Sequence, residues 1–345
     1  MTTGGQDALG LIADIGGTNA RFALVGPDGN PFAPEVLSVA DYSGPDGAIR
    51  AYLDGRGLTG VPQARVALAV AAPVLGDRIA LTNGAWAFST AELSRSLELR
   101  QLDIINDFTA QALAVPALAG QHKLGIGGGP AISGAPLAVI GPGTGLGVSG
   151  LLPTGEGWLP LVTEGGHVTL PARTAHEAAV IRALGEVLAT DHVSAEKALS
   201  GFGLVALCRA LALVDGKERP LFTTASEITT AAESQADALA RQTLEQFFAF
   251  LGTVAGDLAL SLGARGGVYL AGGILPRLAG PLVQSGFRNR FEDKGRFSTY
   301  LAAIPTTLIT HPFPALVGLA ATLQGQNQIR GQASGAPPMT GRHPG

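Results

Sequence analysis

Apolar positions along the chain come in short runs that stop at glycine. Leu9 to Ile15 ends at Gly16-Gly17 and Phe22 to Val25 follows, the pattern of a strand, a glycine-rich turn and a returning strand. Ala64 to Ala71 reads as a third strand. Ser89 with Glu92 three residues on is a capping-box pattern, so a helix is predicted from Thr90. Leu102 to Ile105 is a strand that runs into Asn106-Asp107 and then a helix from about 108 to 118. The glycine-rich stretch from Gln121 to Pro136 reads as a loop or boundary. Leu137 to Ile140, a second glycine-rich turn and Val148 to Leu152 then echo the unit at 11 to 25, which suggests two similar halves. Further on, Leu244, Phe247, Phe248, Leu251, Val254, Ala255, Leu258 and Leu262 keep the three-four spacing of a long amphipathic helix. Gly267 to Leu270 is a strand, 301 to 309 contains another, and Ala315 to Leu323 is a helix. Strands alternating with helices give an α/β class, and hairpins at the glycine-rich turns argue against a purely parallel sheet.

Length sharpens this reading: 345 residues suit two domains better than one. Apolar residues make up 46% and charged residues 14%, well below the usual share of about 25%. The net charge is −4 with no basic run, which argues against nucleic acid as the partner. The best apolar run, Val66 to Leu75, contains Pro73 and is far short of the about 20 residues that span a bilayer, so a membrane is not expected either. A single cysteine, Cys208, excludes an intramolecular disulfide and a cysteine zinc cage, and its apolar neighbours mark it as a small buried hydrophobe. Met1 to Gly10 shows no signal-peptide pattern, so the cytoplasm is the expected location. Residues 327–345, rich in Gly, Pro, Ser and Gln, read as a disordered tail.

Five segments carry candidate chemistry. In Asp14-Ile15-Gly16-Gly17-Thr18-Asn19, two glycines allow a phosphate close to the backbone, Thr18 and Asn19 add donors, and Asp14 could hold magnesium or its waters. A plain hairpin turn is the alternative. Gly141 to Gly147 has four glycines in seven residues, including Gly143 and Gly145 around Thr144. A dinucleotide fingerprint needs a helix next, whereas a strand follows here, so a second phosphate-binding hairpin fits better. Gly272-Gly273 after a strand could admit a nucleobase or ribose, or serve packing alone. Asn106-Asp107 closes a strand at a helix start, where the helix dipole favours a charged carboxylate. That suits a base, and it equally suits a helix cap. Glu164-Gly165-Gly166-His167, with Glu196 further on, could hydrogen-bond sugar hydroxyls. No Walker sequence and no Gly-x-Ser-x-Gly is present, which removes P-loop and serine-hydrolase readings.

Together these segments resemble the bacterial glucokinase family, within the superfamily of sugar kinases, actin and heat-shock chaperones. The matches run in order: DIGGTNAR (14–21), LTN (81–83) with WAFS (86–89), IINDFTA (104–110), GPGTGLGV (141–148), EGGH (164–167), SAEKALSG (194–201), YLAGGI (269–274) and FEDKGRF (291–297). The resemblance implies two ribonuclease-H-like, actin-like ATPase domains with an active-site cleft between them. The expected division is a small domain over 8–117 plus 312–326 and a large one over 118–311. It implies ATP with Mg2+ as cofactors: phosphates at Asp14 to Asn19 and Gly143 to Gly145, adenosine at Gly272 and Gly273, and magnesium at Asp14 through water. It implies that glucose meets Asn106, Asp107, Glu164, His167, Glu196 and, less directly, Asn83, with Asp107 as the base. It further implies a glycolytic homodimer. The related repressor/kinase family carries a cysteine-rich zinc motif that one cysteine cannot build.

The expected reaction is transfer of the γ-phosphoryl group of ATP to the glucose 6-hydroxyl, which needs mainly positioning and charge neutralisation. Asp107 would take the hydroxyl proton late, so an ordinary low carboxyl pKa is expected to suffice. Domain closure around the sugar is expected, because water competes as acceptor. The rivals are a kinase for another hexose or hexosamine, and a sugar-sensing regulator without catalysis. Polyphosphate and ADP are the alternative donors.

Overall fold

The computed structural model describes residues 5, 7–81, 84–216 and 222–325. The chain divides into two compact units: one runs to Ala110 and resumes at Leu319, and the other is Gln111–Gly318.

The first unit opens with an antiparallel meander, β1 (Gly10–Ile15), β2 (Asn19–Val25) and β3 (Pro31–Ser38). Helix α1 (Pro45–Asp54), β4 (Arg65–Val70), the small hairpin β5 (Arg78–Ala80) and β6 (Ala87–Ser89), α2 (Thr90–Ser96), β7 (Gln101–Asn106) and α3 (Asp107–Ala114), whose residues from Gln111 on belong to the second unit, follow. The main sheet has the order β3-β2-β1-β4-β7, with β4 parallel to β1 and β7 parallel to β4. Helix α2 starts where the capping pattern places it, because the Ser89 side chain accepts the Glu92 N–H at 3.1 Å. Five of the six residues of β4 are fully enclosed, as expected of a central parallel strand covered on both faces. Leu11, Ile15, Phe22, Ile49, Tyr52, Leu68 and Trp86 form this unit's core.

The second unit contains β8 (Lys123–Gly127), β9 (Leu137–Pro142), β10 (Leu146–Thr154), β11 (Gly157–Val162), α4 (Ala175–Leu188), α5 (Gly201–Val214), α6 (Ala225–Glu233) and α7 (Ala238–Leu262). It ends with β12 (Val268–Leu270), α8 (Ala279–Gln284), α9 (Phe287–Glu292), α10 (Ser298–Ala302), β13 (Thr306–Ile309) and α11 (Pro314–Leu323), whose last turn belongs to the first unit. Its sheet order is β11-β10-β9-β12-β13-β8. Here β9, β10 and β11 repeat the meander, and β12 and β13 repeat the two parallel strands. The echo read in the sequence is therefore a repeated ribonuclease-H-like sheet, with β8 added antiparallel on the edge.

Helix α7 differs from the single apolar stripe its spacing predicts. It buries Phe247, Phe248 and Leu251 together with Phe250, Gly252 and Gly256. The two glycines explain the second face. A Cβ at Gly252 would stand 2.3 Å from the Phe287 carbonyl oxygen, and one at Gly256 would stand 2.6 Å from that of Phe291. The helix carrying those carbonyls, α9, thus lies almost backbone to backbone on α7. The FEDKGRF stretch ties the end of α9 to α7 through Lys294–Asp257 at 2.6 Å and to the residue ahead of α4 through Asp293–Arg173 at 2.6 Å, while Glu292–Arg288 at 2.5 Å is an ion pair within α9. Beside it, buried Glu177 of α4 pairs with Arg290 of α9. Removing one partner would leave an enclosed charge, at a cost of about 3–5 kcal/mol. Cys208 is buried on α5 and burial pushes its thiol pKa up, in keeping with a packing role.

Three strands of the main sheets lie where no strand was expected. Strand β8 falls inside the predicted loop, while β3 and β11 carry Pro31, Pro34 and Pro160 and are mostly half-exposed. All three are edge strands, where a missing N–H and weak alternation are tolerated. Helix α3 stops at Ala114, four residues short of its predicted end. No helix among the described residues is long and apolar enough to cross a membrane.

Candidate active site

In the first unit the site residues lie at the carboxyl edge of the parallel strands. Ile15, Val70 and Asn106 are in register across β1, β4 and β7, which brings Asp14 and Asp107 to one edge of the sheet. Gly16 donates to the Asn19 carbonyl at 3.0 Å and closes the turn between β1 and β2, leaving Thr18 and Asn19 exposed. The Ile15 side chain is buried in the core, so only its backbone is available to a ligand. Asp14 sits opposite Arg21 on β2, and the two side chains pair at 3.2 Å. Burial raises the Asp14 pKa, and Arg21 opposes that shift.

Asn106 caps α3: its Oδ1 accepts the N–H groups of Phe108 at 2.9 Å and Thr109 at 3.3 Å. Asp107 is the first helical residue, and its Oδ1 also accepts the Phe108 N–H at 2.9 Å. Its carboxyl is pushed up from 3.8 to about 7, first by burial and then by the negative charge of Asp14. Bonds from Phe108 and Asn106 pull the other way and lose. This corrects the expectation of an ordinary low pKa favoured by the helix start: desolvation outweighs the dipole. Asn83 lies outside the described residues. The nearby Trp86 is described, and its Nε1 donates to the carbonyls of Val39 at 3.1 Å and Tyr42 at 2.8 Å.

In the second unit, the turn at Gly143 to Gly145 joins β9 to β10, the counterpart of the β1–β2 turn. Gly143 donates to the Gly145 carbonyl at 2.8 Å, and Thr144 is exposed. Three segments meet at Leu146. Glu196 Oε2 accepts the Leu146 N–H at 2.9 Å. Gly166 lies so close that a Cβ there would stand 2.0 Å from the Leu146 carbonyl oxygen. Ala195 donates to the Val168 carbonyl at 2.8 Å, tying the Glu164–His167 turn to the Glu196 segment. The glycines of this turn thus serve backbone packing and leave the flanking side chains outside. Glu164 and His167 are 60% and 59% exposed, with Oε2 and Nε2 3.9 Å apart.

Gly272 and Gly273 have different reasons to be glycine. Gly272 has φ +81, and a Cβ would stand 2.3 Å from the Pro142 carbonyl oxygen. Its N–H donates to Gln111 Oε1 at 3.4 Å. Gly273 faces open space, as does Gly143, so neither glycine is required by internal packing. Arg21 and Gln111 had no role assigned from sequence. Counting back from the Gly16-Gly17 hairpin would have found Arg21 opposite Asp14, whereas nothing in the sequence pairs Gln111 with Gly272. Among the described residues no group of three or more His, Cys, Asp or Glu is placed to hold a metal.

The glucokinase family model matches residues 11–326. A glucokinase of Paramagnetospirillum magneticum is 54% identical over 90% of this chain and 96% of its own length. One of Aromatoleum aromaticum is 48% identical over 96% and 99%. The crystal structure of a glucokinase from an Antarctic psychrotroph superposes with a TM-score of 0.81 at 38% identity, over 91% of this chain and 98% of that one. Kinship over almost the whole length, on a doubled ribonuclease-H-like fold, leaves one assignment: the chain belongs to the glucokinase family, the ATP-dependent kinases of glucose.

Proposed function

We propose that Asp107 is the base for phosphoryl transfer from ATP to the glucose 6-hydroxyl, yielding glucose 6-phosphate and ADP. The observation that carries this reading is the Asp107 carboxyl, pushed up to about 7 at a strand edge while Asn106 supplies the helix cap. A base poised near the working pH accepts a proton more readily than an ordinary carboxylate. In this reading Asp107 orients the 6-hydroxyl and takes its proton as the bond to phosphorus forms and the bond to the ADP oxygen breaks. Asn106, Glu164, His167 and Glu196 hold the remaining hydroxyls, with Asn83 as a further neighbour. The Glu196 contact with Leu146 N–H supports a second role, in which the same carboxylate braces the Gly143–Gly145 turn. ATP phosphates meet the backbone of Asp14 to Asn19 and of Gly143, Thr144 and Gly145, and the adenosine meets Gly272 and Gly273. Open space at Gly143 and Gly273 supports these contacts.

Magnesium is part of the proposal. The hard oxygens of Asp14, at the same strand edge as Asp107, fit this cation, directly or through water. Its charge would neutralise the transferring phosphoryl group. Resemblance to the family supports a homodimer that works in the cytoplasm as a glycolytic enzyme.

A coupled assay with ATP, ADP and polyphosphate as donors, run on a panel of hexoses and hexosamines, tests the reading. ATP with glucose should give the highest kcat/KM. The analogue 6-deoxyglucose should inhibit competitively with glucose and consume no ATP. Phosphorylation of 6-deoxyglucose would refute the 6-hydroxyl assignment.

A further inference from the structure

We propose that Phe202 is the aromatic platform for the nucleotide's purine base and so sets the preference for a base-bearing donor. The inference rests on the reading that Gly143–Gly145 and Gly272–Gly273 take the nucleotide. Phe202 is the second residue of α5 and is 49% exposed. The core face of that helix is supplied by Leu204, Leu207, Cys208 and Leu211, so packing does not call for an aromatic at 202.

Position and rigidity point the same way. Gly201 donates to the Gly143 carbonyl at 2.9 Å, which ties the start of α5 to the turn. A Cβ at Gly201 would lie 4.0 Å from Ile274 Cδ1, so the residue before Phe202 also adjoins the loop that continues Gly272-Gly273. Ser200 fixes the helix start twice over. Its Oγ donates to the Glu196 carbonyl at 2.7 Å and accepts the Gly203 N–H at 3.1 Å. An exposed ring on a locked backbone, beside a glycine that faces open space, suits stacking on a flat heterocycle. Little ordering entropy then remains to be lost on binding. Stacking on an aromatic face tolerates any base but requires one.

The test uses the full chain and compares wild type with Phe202→Ala, Phe202→Tyr and Gly143→Ala. Phe202→Ala should raise the ATP KM about ten-fold, within the range for losing a base–aromatic stack. Its kcat and glucose KM should stay within two-fold of wild type, and Phe202→Tyr should restore the ATP KM. Inorganic tripolyphosphate, which has no base, should compete with ATP equally well in wild type and Phe202→Ala. An unchanged ATP KM in Phe202→Ala, with a raised one in Gly143→Ala, would overturn the platform and keep the nucleotide reading. Unchanged values in both would overturn both. A glucose KM raised as much as that for ATP, or a matching loss of tripolyphosphate affinity, would mark Phe202 as structural and equally overturn the proposal.

Discussion

Replacing Asp107 by Asn separates a base from a cap and also predicts an effect on stability. The helix cap survives the change, because Asn106 Oδ1 already accepts the N–H groups of Phe108 and Thr109. Asn keeps the shape and can still hydrogen-bond a hydroxyl, but it cannot take a proton. Glucose affinity should therefore persist while kcat falls by roughly 10²–10⁴, the usual scale for a positioned acid–base group. Raising the carboxyl from 3.8 to about 7 corresponds to about 4 kcal/mol against the charged form. The folded chain holds this proton more tightly than the unfolded one, so Asp107 lowers stability as pH rises from about 4 to about 7. A neutral Asn escapes that loss. Asp107→Asn should thus be more stable than wild type by about 2–4 kcal/mol at pH 8, with the advantage vanishing near pH 4. In wild type, kcat/KM for glucose should fall as pH drops through about 7. Calorimetry at pH 4 and 8, glucose titration and a coupled assay measure all of this on one variant. A folded variant with kcat within a few-fold of wild type would rule out the base, and a pH-independent stability difference would refute the electrostatic account.

His167→Ala should raise the glucose KM strongly and that for ATP much less, since a site that hydrogen-bonds hydroxyls suffers when a partner is lost. Equal losses for both substrates would count against it. Gly145→Val would bring a Cβ to 2.4 Å from Glu196 Oε2, so it should abolish activity through both the turn and the carboxylate while the melting temperature is largely kept. Near-normal kcat/KM in that variant would make the close approach irrelevant to catalysis. Activity should disappear when EDTA removes magnesium and survive a zinc-selective chelator. Stoichiometric zinc in the purified protein would contradict this.

The α/β class and the central strands were legible in the sequence, because glycine-bounded apolar runs and capping signals are local. The hairpin turns at 16–19 and 143–145 were legible for the same reason, since glycine density is written into consecutive residues. The edge strands β3, β8 and β11 were not, because pairing on one side needs no strong pattern. Chemistry drawn from distant segments escaped as well. The FEDKGRF match was visible as a motif, yet its ion pairs to Arg173 and Asp257 exist only after α4, α7 and α9 pack. Gly272 and Gly273 look alike in sequence, and only the approach of Pro142 to one of them tells a packing glycine from an open one. Asp107 is the sharpest case. Its place at a strand end was readable, but its proton affinity was not, because burial and the charge of Asp14 act through space. Residue type and spacing determined which groups this protein has for its chemistry. Tertiary structure decided which are enclosed, which brace one another and which remain open to a ligand, because desolvation and through-space charge depend on neighbours far apart in the chain.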